Sequence, residues 1–316
     1  VILIIFIGLY QNGNPIFKDL INRIDFGFIN AQWLLFAGLG YYLFSNIHKP
    51  IEVEPATEID LKTDNQLTKT KDFSIPKLKQ ENQLGTVLIA LLNALIVVFL
   101  ITDITFIVTN VDIRASVFSA QVHSGINALI ASIIIAIIIL LYVFRGNLNF
   151  YKDNKTIKRL AFTWIILNVI LVISIAVKNS QYIYYYGLTY KRIGVVVYLI
   201  LALIGLITTL LKIEHIKNIW YLFRLNTKAV FVVLVLASTV NWDYYITKYN
   251  FNYAKSMDFK YLIQLSNNNA FLLKEQIEIT PMENDSIQLI EEKYNNYVYE
   301  LTNNSWQELQ YDNLKM

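Results

Sequence analysis

The sequence predicts an all-α fold: a polytopic transmembrane helix bundle of about six spans, with a truncated N-terminal membrane helix before it and a small helical C-terminal tail after it. Three observations predict it. Hydrophobic residues fill 55% of 316 positions and charged residues only 16%, whereas a soluble domain carries about a quarter charged residues. The apolar residues gather in blocks of about 20, the length a helix needs to cross roughly 30 Å of hydrocarbon. Within a block such as Ile133–Ile139 they run without alternation. A membrane strand would alternate, so the helix is left as the form that satisfies its own backbone in lipid.

Val1-Ile2-Leu3-Ile4-Ile5-Phe6-Ile7 opens the chain with neither an initiator Met nor a basic flank. That is not a signal-peptide pattern. Val1–Tyr10 reads as the end of a severed membrane helix, and the natural protein is expected to be longer there. Full spans are expected at Phe28–Ile47, Leu84–Thr109, Val122–Phe144, Arg159–Val177 and Ile193–Leu211, with a shorter one at Ala229–Trp242. The chain thus divides into 1–47 (severed helix and first full span), a linker at 48–83, a bundle at 84–242 and a polar helical tail at 243–316.

The linker holds Pro50, Pro55 and Pro76 among many Lys, Glu, Asp and Thr. That composition cannot bury enough surface to fold alone, so disorder is expected. The tail has eleven acidic residues and six lysines. Its apolar positions recur at helical spacing: Phe259, Leu262, Ile263 and Leu265, then Phe271, Leu272 and Ile277, then Ile287, Ile290, Tyr294 and Tyr297. Three or four short helices are expected, the last opened by the capping box Ser305-Trp306-Gln307-Glu308. So short a segment makes a thin core by itself, so docking on the bundle or the membrane surface is expected.

Charge orients the bundle. Segments 48–83, 145–159 and 212–228 hold fifteen Lys and Arg, and the alternate segments 11–27, 110–121 and 178–192 hold six. The positive-inside rule places the linker in the cytoplasm. If Ala229–Trp242 crosses, the tail lies on the extracytoplasmic side. The net charge of +3 is too small to imply nucleic acid, and the absence of cysteine excludes disulfides, thiolate metal sites and cysteine nucleophiles. Walker-type phosphate loops, HExxH and Gly-x-Ser-x-Gly are also absent. No cofactor and no metal is implied.

Six polar residues form a candidate cluster at the outer end: Asp103, Arg114, His123, Tyr190, Lys191 and Arg192. Asp103 is the acidic residue lying well inside a span, where a carboxylate costs roughly 2.5–3.5 kcal/mol at the bilayer centre. Arg114 or Arg192 is available to pair with it. The plain alternative is a wet carboxylate beyond an earlier helix end. His123 opens a span either as a proton carrier or as a satisfied interfacial histidine. Asn93, Asn127 and Asn168 fit interhelical amide bonds or a polar path. The stretch Lys178–Arg192 packs five tyrosines into nine residues before Lys191-Arg192. It reads as an interfacial loop, either an aromatic belt with snorkelling cations or a clamp for a lipid headgroup or other anion. Arg145 and Gly146 fit a membrane-end anchor and a helix stop. Trp242 suits the interface, and Asp243 is placed to cap the start of the tail.

Several motifs agree in order and spacing with a known family. They are Val122-His123-Ser124-Gly125, Phe144-Arg145-Gly146-Asn147-Leu148-Asn149-Phe150, Tyr186-Gly187-Leu188-Thr189-Tyr190-Lys191-Arg192-Ile193-Gly194, Asn241-Trp242-Asp243, Lys248-Tyr249-Asn250, Asp258-Phe259-Lys260-Tyr261-Leu262 and Leu265-Ser266. Over roughly residues 10–275 the chain resembles a bacterial family of multi-pass membrane proteins known only as a domain of unknown function (the four-one-five-three and four-one-seven-three type). The resemblance implies a bacterial inner-membrane protein with further N-terminal helices and an extra-membrane tail. It carries no activity with it.

Three functions are weighed. The leading one is a non-enzymatic transport, envelope or scaffold component in contact with the lipid bilayer. The polar residues inside the spans are sparse, and no proline interrupts a full span as in many coupled transporters. The second is a membrane-embedded enzyme acting on a lipid or lipid-linked substrate, which requires the six outer residues to converge on one cavity. The third is a sensor or assembly partner that binds another protein through the tail.

Overall fold

The computed structural model describes residues 31–49, 58, 61–70, 74–109, 115–277, 279 and 284–303, with backbone alone at 31–34, 106–109, 115–125 and 127–128. Among the described residues every regular element is helical. The chain forms two compact units divided after Thr63. The first contains α1 (Ala31–His48), which overlaps the expected first span, Phe28–Ile47, from Ala31 onward. The severed stub lies outside the described residues.

The second unit is built on α2 (Ile75–Thr109), α3 (Ala115–Val143), α4 (Lys155–Tyr186), α5 (Tyr190–Glu214) and α6 (Ile219–Ser238). Among the described residues, α2, α4, α5 and α6 are long and apolar enough to cross a membrane, and Leu129–Val143 of α3 is a shorter apolar stretch. Four of the expected spans thus have a membrane-length helix among the described residues. α1 is not among them.

Helix α4 is the centre. It packs against α2, α3 and α5, while α6 packs on α5. In their most apolar stretches 44% of α4 but only 6% of α6 is buried, so α6 lies at the rim of the unit. The fully buried side chains Ile89, Ile133, Phe144, Ile157, Ile175 and Leu206 join the helices into one core. α2 and α4 run parallel, as shown by Asn82 donating to the Asp153 carbonyl at 3.4 Å and Asn93 to the Leu160 carbonyl at 3.0 Å. A Cβ on Gly85 would stand 2.6 Å from Ile157 Cδ1. The bare glycine is what lets these two helices approach.

The polar end of the unit corrects the linker expectation. Helix α2 begins at Ile75, not Leu84, with Pro76 in its first turn, where proline's missing N–H costs nothing. Upstream, Leu67 N–H donates to the Ile216 carbonyl at 3.0 Å and Asn218 N–H to the Asn65 carbonyl at 3.1 Å. Thr70 exchanges hydrogen bonds with the Asn147 amide at 3.0 and 3.3 Å. Residues 64–70 lack a core, but main-chain pairing and amide side chains tie them to the unit. Lys212 caps the same end by donating to the Phe144 carbonyl at 2.7 Å.

Two other boundaries move. Helix α6 starts ten residues before the expected Ala229, because Asn218 caps it (Tyr221 N–H to Asn218 Oδ1, 3.1 Å) and Arg224 bonds Asn65 Oδ1 at 2.6 Å. The expected Lys178–Arg192 loop is mostly helix. α4 continues to Tyr186, and only three residues separate it from α5.

The tail folds into α7 (Trp242–Tyr253), α8 (Phe259–Gln264), α9 (Ala270–Ile277) and α10 (Asn284–Asn303). Ile246, Leu262, Leu273 and Ile290 form its core, and Leu188 and Ile193 of the bundle pack against it. The Ser305 capping box lies outside the described residues. Asn241, not Asp243, caps α7 by accepting from Tyr244 N–H at 3.2 Å. Asp243 is left for another role.

Candidate functional site at the capped end of the bundle

The end of α4 is finished by other parts of the chain. A helix leaves its last four carbonyls without intrahelical donors. Here Ile183 accepts from Gly187 N–H at 2.8 Å, Tyr184 from Lys255 N–H at 3.1 Å and Tyr185 from Ser256 N–H at 3.2 Å. Tyr186 accepts from Arg192 Nη1 at 2.8 Å, and the same nitrogen donates to the Gly187 carbonyl. The Arg192 guanidinium lies 4.1 Å from the centre of the Tyr182 ring. One cation thus meets both the negative end of a helix and an aromatic face.

Gly187 makes this possible. Its φ of 82° is a left-handed conformation open to glycine. From α7, Asn250 grips the turn: its Oδ1 accepts from Leu188 N–H at 2.5 Å and its Nδ2 donates to the Leu188 carbonyl at 3.0 Å. Thr189 then caps α5, accepting from Arg192 N–H at 3.4 Å. Tyr190 ties α5 to the tail twice. Its hydroxyl donates to Asp243 Oδ1 at 2.6 Å, and its N–H donates to the Tyr261 hydroxyl oxygen at 3.0 Å. The other Asp243 oxygen accepts from Ser266. Lys293 of α10 closes the tail by donating to the Ile263 and Leu265 carbonyls at 2.9 and 2.8 Å.

Between this turn and the tail lies a cavity of about 570 Å³. The bundle contributes Tyr186, Tyr190, Lys191 and Arg192 to its wall, and the tail contributes Ser256, Asp258 and Tyr261. The Tyr186 hydroxyl is shielded from solvent and has no hydrogen-bond partner among the described residues. Asp258 spends Oδ1 on capping α8, accepting from Tyr261 N–H at 3.1 Å. Burial raises the Tyr261 pKa above the ordinary phenol value.

Burial also pushes the Lys293 ammonium down to about 8, with Asp243 pulling the other way. A lysine whose folded pKa lies below its unfolded value costs stability while it is charged, and that cost is relieved as pH rises. Protection of α8 and α10 from hydrogen exchange, corrected for intrinsic exchange rates, is therefore expected to increase between about pH 8 and 10. The Lys293→Met variant should show a flat profile over the same window.

Of the six outer candidates, Tyr190, Lys191 and Arg192 share the cavity wall. Asp103 does not join them, and Arg192 is not its partner. It is buried deeper in the bundle, where Ser174 Oγ donates to it at 2.5 Å and Lys178 pairs with its other oxygen. Arg114 and the His123 side chain lie outside the described residues, as does the Asn127 side chain. Sequence reasoning missed Lys178, which reads as a loop cation once α4 is ended at Val177. Its i, i+4 spacing from Ser174 was the available signal. It also missed Asn250, whose partner is a backbone turn 62 residues away in sequence.

Among the described residues, four membrane-length apolar helices, with α4 at their centre and a helical cap at one end, define an all-helical protein of membrane type. The family model described as Domain of unknown function (DUF4153) matches residues 1–276, and the chain belongs to that family. The match contains the whole cavity wall and stops short of α10. No curated protein and no solved structure matches the chain.

Proposed function

We propose that this chain is a non-enzymatic, multi-pass component of a bacterial inner membrane whose capped end receives a ligand. The observation that carries the reading is the cavity between the α4–α5 turn and the tail, where motifs from two distant parts of the family pattern meet. Tyr186–Arg192 comes from the bundle, and Asn250 and Asp258 come from the cap. A cavity whose wall joins a rigid bundle to a docked cap suits binding. The enzymatic reading required Asp103 at the same cavity, and its carboxylate is instead occupied by Ser174 and Lys178.

Native mass spectrometry of the full chain extracted from its membrane tests the reading. A bound mass should accompany the wild type and be lost in Ser256→Trp, which fills the cavity from the tail side. Met257→Trp serves as a second block. Identical bound species in all three proteins would refute the reading.

Charge gives the orientation. The basic end, with residues 64–70, 145–154 and 215–218, belongs in the cytoplasm, and the cap on the opposite side. A reporter inserted after Ala56 should give a cytoplasmic signal and one at the C-terminus an extracytoplasmic signal. Two cytoplasmic signals would mean that α6 does not cross.

A further inference from the structure

We propose that the ligand of this cavity is the net-negative headgroup of an amphiphile, an acceptor-rich anion such as a phosphodiester, held by Lys191 and Arg192 and by hydroxyl donors around them. The inference rests on the ligand-receiving reading above and names its chemistry.

The wall is rich in donors and poor in free acceptors. Lys191 and Arg192 bring two positive charges at the first turn of α5, a 25-residue helix whose N-terminus favours an anion. Tyr186 presents a shielded hydroxyl with no partner among the described residues. The Tyr261 oxygen accepts from Tyr190 N–H, which leaves its own proton to donate. Most acceptor atoms nearby are engaged, the second oxygen of Asp258 being the exception, and two cations outnumber that one wall carboxylate. Asn250 Oδ1 takes Leu188 N–H, Asp258 Oδ1 takes Tyr261 N–H, and Asp243 takes Tyr190 and Ser266. A cavity of this kind is satisfied by a ligand that offers oxygens and negative charge.

Its depth points to the source. Tyr182, Tyr184, Tyr185, Tyr186 and Tyr190 surround the end of α4, and Trp242 opens the tail. Tyrosine and tryptophan settle at the headgroup level of a bilayer. An anion at that height, beside apolar helices, is presented by lipid.

The test titrates the detergent-solubilised full chain with three probes: short-chain phosphatidylglycerol, phosphatidylcholine of equal chain length and inorganic phosphate. Binding is read from the shift of the thermal midpoint. Phosphatidylglycerol should bind at least about tenfold more tightly than phosphatidylcholine, the size of one charge-assisted contact. Lys191→Gln should erase the preference, and Lys191→Arg should keep it. Phosphate alone matching phosphatidylglycerol would support the anion and make its source a free solute; phosphate binding more weakly would support the lipid. Equal binding of the two lipids to the wild type and to Lys191→Gln, with both lost in Ser256→Trp, would overturn the anion while leaving the cavity reading standing. Lipid binding unchanged in Ser256→Trp and Met257→Trp would remove both.

Discussion

Asp103→Ala is expected to lower the stability of the bundle by about 3–5 kcal/mol, the cost of leaving one member of a buried ion pair without the other. Asp103 and Lys178 are only 7% and 8% exposed, and they link α2 to α4 within the apolar core. Ser174 completes the carboxylate's shell. Removing the carboxylate leaves an ammonium in a region that disfavours charge, whereas removing both charges leaves only a packing defect. The double variant Asp103→Leu with Lys178→Met should therefore recover most of the loss. Thermal unfolding in one detergent, compared across the wild type, both single variants and the double, measures this. A single variant within about 1 kcal/mol of wild type would show that the pair is solvated and weak, as surface pairs are.

Gly187→Ala is expected to detach the cap. A Cβ at this position would overlap the Asn250 amide, and an L-residue at φ 82° carries a steric cost of its own. The left-handed conformation costs roughly 1–2 kcal/mol. Displacing Asn250 forfeits its two bonds to Leu188, each worth about 1 kcal/mol net. About 3 kcal/mol is a large fraction of what holds a small docked segment. The cap should become protease-sensitive from residue 254 onward while the bundle keeps its helicity. Asn250→Ala tests the same grip more gently: it removes both bonds and the steric conflict at once, so adding Gly187→Ala to it should cost less than in the wild type. Equal cost in both backgrounds would mean that the turn and Asn250 are independent.

Much of the bundle is legible residue by residue. The apolar runs around Ile89, Ile165 and Leu206 mark membrane-length helices because hydrocarbon leaves the backbone no other partner. The ends were less legible. Pro76 marked the true start of α2 and Gly187 the true end of α4, but both signals sit outside the apolar blocks, where hydropathy is silent. The candidate site was half visible. Tyr190, Lys191 and Arg192 stood out through composition, while Asn250, Asp258 and Tyr261 on the opposite wall look like ordinary tail residues until the tail docks.

The sequence by itself determined that the chain is helical, apolar on the membrane scale and a member of its family, because those properties come from local composition and short-range pattern. It also singled out Asp103 as a carboxylate that is either paired or wet. Which partner it has, and whether the tyrosine-rich stretch is a loop or a helix end, depends on contacts between residues 50 to 80 positions apart. Lys178 reaches Asp103 only because α2 and α4 run parallel. The cavity at Tyr190–Arg192 exists only because the cap supplies the donors that the end of α4 lacks. Pairings of that kind depend on where whole helices come to rest, and no window of sequence contains them.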